Sequence, residues 1–98
     1  VAINDILYCQ ASGDYVELHL NSARQLLFSG SLKKLADLLP ANFIKVHRSY
    51  LVNLDFIRAL KSDSGTGQLI LTNDDSIPVS RRMMPSVRDS MSEIFQNE

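Results

Sequence analysis

The chain has 98 residues, a hydrophobic fraction of 45%, a charged fraction of 21% and a formal net charge of −1, which fits one globular domain with a modest core. No apolar run approaches the ~20 residues that cross a bilayer. The single cysteine excludes an internal disulfide and a thiolate metal cluster. The near-neutral charge lacks the basic surplus that is usual in nucleic-acid-binding proteins.

The first half of the chain predicts three short strands and a helix. The strands are predicted over residues 6–10, 15–20 and 24–28. Leucines at helical spacing predict a helix over residues 32–39, with Ser31 as its N-cap and Pro40 as its stop. Cys9 lies in an apolar strand and is expected to be buried. His19 lies on the polar face of an alternating strand and is expected to be a solvated surface residue.

The second half predicts further strands and a final helix. The strands are predicted over residues 43–46, 50–52, 56–61, 68–72 and 76–79. Residues 62–67 contain two glycines and small polar residues, which predict a loop, and residues 73–75 predict a hairpin turn. The final helix is expected to begin near Pro85 after an irregular approach over 81–84. Met84, Val87 and Met91, with Ile94 or Phe95, form an apolar stripe that is typical of packing.

Enzyme signatures are missing from the sequence. There is no dinucleotide-binding glycine motif, phosphate-binding loop, nucleophile elbow or zinc-protease motif. His19 and His47 are the only histidines, and two separated imidazoles do not provide the clustered donors of a metal site. We therefore expect neither catalysis, nor a cofactor, nor a bound metal.

A polar group, His47-Arg48-Ser49, lies between two apolar strands, where rigid neighbours would hold it outward. Arg48 can offer a bidentate fork to guanine or to a phosphate. His47 and Ser49 can donate to phosphate oxygens. The pattern alone equally allows a surface arginine that pairs with a carboxylate such as Asp55.

A second basic group, Ser80-Arg81-Arg82, follows a predicted strand and precedes a helix. Free N–H groups at a helix start, together with two guanidinium groups, favour an anion site. A pair of solvated arginines fits the same pattern. The basic residues Lys45, Arg48, Arg58 and Lys61 also cluster along the chain, so the sequence allows a basic face.

The segment Phe43-x-x-Val46-His47-Arg48-Ser49-Tyr50-Leu51-Val52-Asn53 resembles the central signature of the LytTR family of DNA-binding domains. Three weaker features agree with that family in order and spacing. Residues 5–15 resemble its opening strand and glycine-containing turn, residues 30–39 its short helix, and residues 77–82 its closing strand and Ser-Arg motif. The resemblance covers about residues 3–90.

The resemblance implies one mainly β domain over residues 1–98: a sandwich of small, mostly antiparallel sheets with one short internal helix and a C-terminal helix. It implies that loops at one edge enter the major groove of paired direct repeats in promoters. The base-contact candidates carried over by position are Arg48, Arg81 and Asp14, the last as an acceptor from a cytosine amino group. The phosphate-contact candidates are Lys45, His47, Ser49, Lys61, Ser80 and Arg82.

The partners implied are double-stranded DNA, on which the domain would dimerise, and an N-terminal receiver or sensor domain in the same polypeptide. The chain begins at Val1 rather than Met, so we expect it to be part of a longer protein. The expected location is the cytoplasm, without membrane contact. The alternative is a protein-interaction module that uses β edges and the methionine-bearing tail, and that would bind insensitively to salt and to Arg48.

Overall fold

A computed structural model describes residues 2–95, with side chains described to residue 92. Its strands are β1 (Ile6–Ser12), β2 (Tyr15–Leu20), β3 (Gln25–Ser29), β4 (Phe43–His47), β5 (Tyr50–Asn53), β6 (Ile57–Asp63), β7 (Thr66–Leu71) and β8 (Ser76–Val79). Its helices are α1 (Leu32–Leu38) and α2 (Met84–Phe95), and short 3-10 turns cover Ile3–Asp5, Leu54–Phe56 and Arg81–Met83.

The strands form two sheets, one of five strands in the order β3-β2-β1-β5-β4 and one of three in the order β6-β7-β8. Every pairing is antiparallel. Helix α1 packs on one face of the large sheet, and the small sheet and α2 pack on the other. This arrangement confirms the predicted mainly β fold with one short internal helix and a C-terminal helix.

Strand β1 lies at the centre of the large sheet and contributes to both cores. Successive side chains in a strand point to opposite faces, so Tyr8 enters the core beneath the small sheet and Cys9 enters the core beneath α1. Cys9 is fully buried, as predicted, and burial raises the pKa of its thiol to about 12. Burial, followed by the nearby Asp75 carboxylate, raises the pKa of Tyr8 to about 12.

Both helices follow the sequence prediction closely. The Ser31 hydroxyl accepts a hydrogen bond from the Lys34 backbone N–H at 3.1 Å, which confirms the predicted N-cap of α1. A 3-10 turn leads into α2, as expected from the position of Pro85. Met84 is buried and Met91 packs against the same core, so these methionines serve packing. The predicted contributions of Ile94 and Phe95 lie outside the described side chains.

The segment 62–67 is not a loop, contrary to the prediction. Strands β6 and β7 continue through it, and Asp63 pairs with Thr66 around a two-residue turn. Ser64 and Gly65 both have positive φ, 53° and 91°, which is the geometry favoured in tight hairpins. The hairpin end is exposed on both faces, so its strands carry polar residues and lack the apolar alternation that marks a half-buried strand.

His19 is not the solvated residue that its strand pattern predicted. Its ring stacks on Tyr8 with the centroids 4.3 Å apart, and its side chain is only 15% exposed. Its Nε2 atom is buried and lies 3.3 Å from a Glu17 carboxylate oxygen. The polar face of β2 is therefore partly covered by other residues of the folded domain. The alternation of polar and apolar residues along β2 alone could not predict this cover.

Candidate nucleic-acid interface

Four connections meet at one end of the molecule, which we call the turn end. They are the β1–β2 turn at residues 13–14, the β4–β5 turn at 48–49, the β6–β7 turn at 64–65 and the segment 80–82 after β8. The Ala11 N–H donates to the Ser49 carbonyl at 2.8 Å, which joins the first two connections. The Ser80 N–H donates to the Val46 carbonyl at 3.0 Å, which joins the last connection to β4 and hence to the second.

The two basic groups noted in the sequence share a groove at the turn end. This arginine groove has a volume of about 560 Å³, and it is lined by Lys45, His47, Arg48, Ser80, Arg82 and Met83. Its two sides come from segments more than thirty residues apart in the chain. Three of the six lining residues are cationic, so the groove suits an anionic ligand.

A second groove, of about 620 Å³, lies alongside and includes Lys61 from β6. His47 and Ser80 line both grooves and therefore form the ridge between them. The candidate phosphate-contact residues Lys61, Ser80 and His47 are thus neighbours in the structure. The hairpin β6–β7 forms the far wall of this second groove.

The β4–β5 turn is held by its own histidine. His47 Nδ1 accepts a hydrogen bond from the Ser49 backbone N–H at 3.1 Å, so the neutral ring carries its proton on Nε2. The ring also meets Tyr50 edge-on, with centroids 5.5 Å apart. These contacts restrain the turn from both ends and hold Arg48 at its exposed tip.

Arg48 is exposed, and the alternative pairing with Asp55 is absent from the described part of the chain. Asp55 lies beyond the opposite end of β5, where it accepts a hydrogen bond from the Asn42 amide at 3.2 Å. Neither of the two ion pairs among the described residues includes Arg48. Its guanidinium is therefore available to a ligand.

Asn53, which ends the motif resembling the LytTR signature, has a structural role. It is fully buried, and its amide donates to the Ile6 carbonyl at 2.9 Å. Its side-chain oxygen accepts from the Asp55 backbone N–H and from the Asn42 amide. This residue joins β1, β5 and the turn that follows β5, and lies away from the turn end.

Arg81 and Arg82 point to different neighbours. Arg81 Nη2 donates to the Ser64 carbonyl at 3.2 Å, and its guanidinium lies over Gly65 in the β6–β7 turn. Arg82 lines the arginine groove with Arg48. The segments that carry Arg48 and Arg82 meet in this groove, and Arg82 rather than the base-contact candidate Arg81 lines it beside Arg48.

Asp14 is exposed in the β1–β2 turn, beside the β4–β5 turn. Its backbone carbonyl accepts from the Gly30 N–H at 3.4 Å, so the loop before α1 also reaches the turn end. Met83, one of the three methionines near the end of the chain for which the sequence allowed either packing or a soft binding surface, packs against the core and contributes an apolar wall to the arginine groove. The 3-10 geometry of Arg81–Met83 directs this residue, and no local pattern predicted that direction.

Among the side chains of residues 2–92, no group of three or more His, Cys, Asp or Glu is arranged to hold a metal ion. None of the helices in that part of the chain has the length and apolar character needed to span a membrane.

Known proteins resemble this chain in both sequence and structure. The sequence profile described as the LytTr DNA-binding domain matches residues 1–92. The transcriptional regulatory protein BtsR of Escherichia coli is 33% identical over 81 residues, which is 82% of this chain and 32% of that protein. An uncharacterized response regulatory protein of Vibrio cholerae is 33% identical over 87 residues, which is 85% of this chain and 33% of that protein.

A solved LytTr DNA-binding domain from Bacillus cereus superimposes with a TM-score of 0.86 at 27% identity, covering 93% of this chain and 84% of the other. This chain spans about a third of the length of the curated relatives. The match over nearly the whole chain, together with the shared fold, confirms the resemblance seen in the central motif: the chain belongs to the LytTR family of DNA-binding domains.

Proposed function

We propose that this domain binds promoter DNA sequence-specifically, as the output part of a bacterial transcription regulator. The observation that carries the proposal is the arginine groove, in which Arg48 and Arg82 from two distant segments meet on a rigid β scaffold. The relatives named as regulators of transcription or response support the same role.

We assign the base contacts first to Arg48, because it is exposed at the tip of a restrained turn and a guanidinium reads guanine bidentately. Arg82 lies beside it and can reach a base or a phosphate. Arg81 and Asp14 stay candidates for base contact at the borders of the turn end. The flanking phosphates are assigned to Lys45, His47, Ser49, Lys61 and Ser80.

The distribution of charge reconciles this role with a net charge of −1. The turn end carries the five cations Lys45, Arg48, Lys61, Arg81 and Arg82 and the two acids Asp14 and Asp63. Many of the acids lie at the other end, including Asp5, Asp55, Asp74 and Asp75, which border β1, β5 and the β7–β8 turn. A segregated charge orients the domain on DNA even when the sum is near zero. Because counterion release scales with the number of phosphates neutralised, we expect a domain of near-neutral charge to have modest nonspecific affinity.

The test compares promoter binding of Arg48→Ala and Arg82→Ala with Arg24→Ala, which removes the same charge in the β2–β3 turn at the opposite end. Removing a base-reading arginine is expected to cost about 1–3 kcal/mol and to relax base preference locally. That cost corresponds to roughly 5- to 150-fold in affinity. Equal losses for Arg48→Ala and Arg24→Ala, in a mobility-shift titration, would refute the assignment.

The phosphate contacts have a different signature. Lys45→Ala is expected to weaken binding to all sequences alike and to lower the slope of affinity against salt by about one. Titrations at two salt concentrations, on promoter DNA and on unrelated DNA, separate this effect from loss of base reading. A loss for Lys45→Ala that is confined to promoter DNA contradicts the phosphate assignment.

We further propose that two such domains occupy paired direct repeats in the major groove, acting in the cytoplasm behind a receiver or sensor domain. The basis is the family resemblance and the regulators it matches. Binding to a duplex with two repeats should then exceed binding to a duplex with one.

A further inference from the structure

The four edge strands of the two sheets differ in how well they are protected against pairing with another chain. Exposed edges usually carry a charge, a proline or a bulge. Strand β4 carries Lys45 and an irregular register, β6 carries Arg58 and Lys61, and β8 carries Pro78. Strand β3 has none of these and pairs with β2 in regular register. Within residues 2–95 it is the one edge without such protection.

Strand β3 carries at least one apolar side chain on each face of the sheet. Leu27 is 66% exposed, the largest value among the exposed large hydrophobic residues described. Tyr15, 41% exposed, lies diagonally across from it on β2, because Tyr15 pairs with Ser29 and Glu17 pairs with Leu27. Leu26 and Phe28 are half-buried on the other face, against the core beneath α1.

We propose that β3 is a self-association edge, which pairs antiparallel with β3 of a second copy about a two-fold axis at Leu27. The strand Gln25-Leu26-Leu27-Phe28-Ser29 complements itself in this register. Leu27 meets Leu27, Leu26 meets Phe28, and Gln25 meets Ser29, so apolar residues face apolar residues and polar residues face polar residues. A self-complementary patch is what a two-fold interface requires.

Charge does not oppose this pairing. Strand β3 has no charged residue, and the nearest acid on its exposed face is Glu17 in β2. Three strand spacings of about 4.8 Å would hold the two Glu17 residues roughly 14 Å apart. That separation exceeds the ~8 Å screening length at physiological salt.

The small area that the β3 edge can bury limits the affinity of the β3–β3 dimer. Five residues per copy bury far less than the roughly 1,000 Å² typical of a stable interface. The dimer is therefore weak, and forms at high local concentration. Antiparallel pairing points the two turn ends in opposite directions, so this dimer leaves both arginine grooves open and does not place them on neighbouring sites of one duplex.

Sedimentation measured up to ~1 mM protein, without DNA, tests the pairing. The wild-type mass is expected to rise from 11.0 kDa towards twice that value. Leu27→Lys should hold the protein at the monomer mass throughout. The matched control is Leu38→Lys, because Leu38 is 64% exposed but lies on α1, away from the β3 edge. It should dimerise like the wild type.

Amide hydrogen exchange of the wild type gives a second measurement that needs no variant. The β3 backbone N–H groups that face outward should become more protected as concentration rises, while those of the β6 edge should not. A wild type that stays monomeric at ~1 mM, or equal weakening by Leu27→Lys and Leu38→Lys, overturns the proposal. Because no DNA is present, these outcomes are independent of the proposed function.

Discussion

At the scale of single residues, the motif His47 to Asn53 contains two kinds of side chain. Arg48 is exposed and directed to the groove, whereas Asn53 is fully buried and forms hydrogen bonds at both its amide nitrogen and its oxygen. A buried amide is kept because its loss would leave backbone groups without partners. One short motif thus combines a contact residue with a residue that holds its strand in place.

We predict that Asn53→Ala lowers the free energy of unfolding by about 1–3 kcal/mol, since the buried Ile6 carbonyl would lose its donor. Urea unfolding measures this loss. Asn73→Ala is the control, because Asn73 makes similar side-chain bonds to Asp75 in an exposed turn, where water replaces them. A loss for Asn53→Ala no larger than that for Asn73→Ala would contradict the structural role.

At the scale of elements, turn geometry positions the arginines. Gly65 has a φ of +91°, and a Cβ placed there would lie 3.2 Å from Arg81 Nε. The bond from Arg81 to the Ser64 carbonyl therefore depends on a glycine in this turn. The β6–β7 hairpin and the segment after β8 are coupled through that contact.

We predict that Gly65→Ala destabilises the domain by about 1 kcal/mol or more, since alanine tolerates positive φ poorly. It should also displace the Arg81 side chain, visible as a shift of its Nε–H resonance in NMR spectra. Gly13→Ala is the matched control, because Gly13 has a φ of +61° and no heavy atom within 4 Å of the added Cβ. It should lose stability and leave the Arg81 resonance in place.

At the scale of the whole molecule, β1 joins the two cores, since its neighbouring residues Tyr8 and Cys9 are buried in different cores. The Tyr8 phenol and the Cys9 thiol can both lose a proton. The pKa of Cys9 is raised from 9.0 to about 12 and that of Tyr8 from 10.0 to about 12, in both cases chiefly by burial. In the unfolded chain these groups lose their protons at lower pH than in the folded domain. Deprotonation therefore favours unfolding, and stability falls as pH rises.

We predict that the free energy of unfolding declines as pH rises above 9.0, where an exposed thiol titrates. Urea unfolding at a series of alkaline pH values measures the decline. Cys9→Ala should flatten the first part of the curve, and Tyr8 should still contribute near pH 10.0 and above. An unchanged slope in Cys9→Ala would show that burial of this thiol does not govern alkaline stability.

Sequence patterns predicted most of the fold and the segments of the candidate interface. Apolar alternation, the Ser31 cap and the position of Pro85 each act within a few residues, so they could be read directly. The hairpin around Ser64 and Gly65 could not be predicted in this way, because the exposed ends of its strands lack apolar alternation. The burial of His19 could not be predicted from its own strand either, since the Tyr8 ring that covers it belongs to another strand.

The sequence by itself determined the mainly β class, the family motif around Arg48 and the two basic segments, because these depend on local spacing and residue type. Only the tertiary structure decided that Arg82 lines the groove beside Arg48 while Arg81 lies on the β6–β7 turn. The direction of a side chain after a strand depends on the 3-10 geometry that follows and on contacts between strands distant in sequence. Those contacts exist only once the two sheets have packed together.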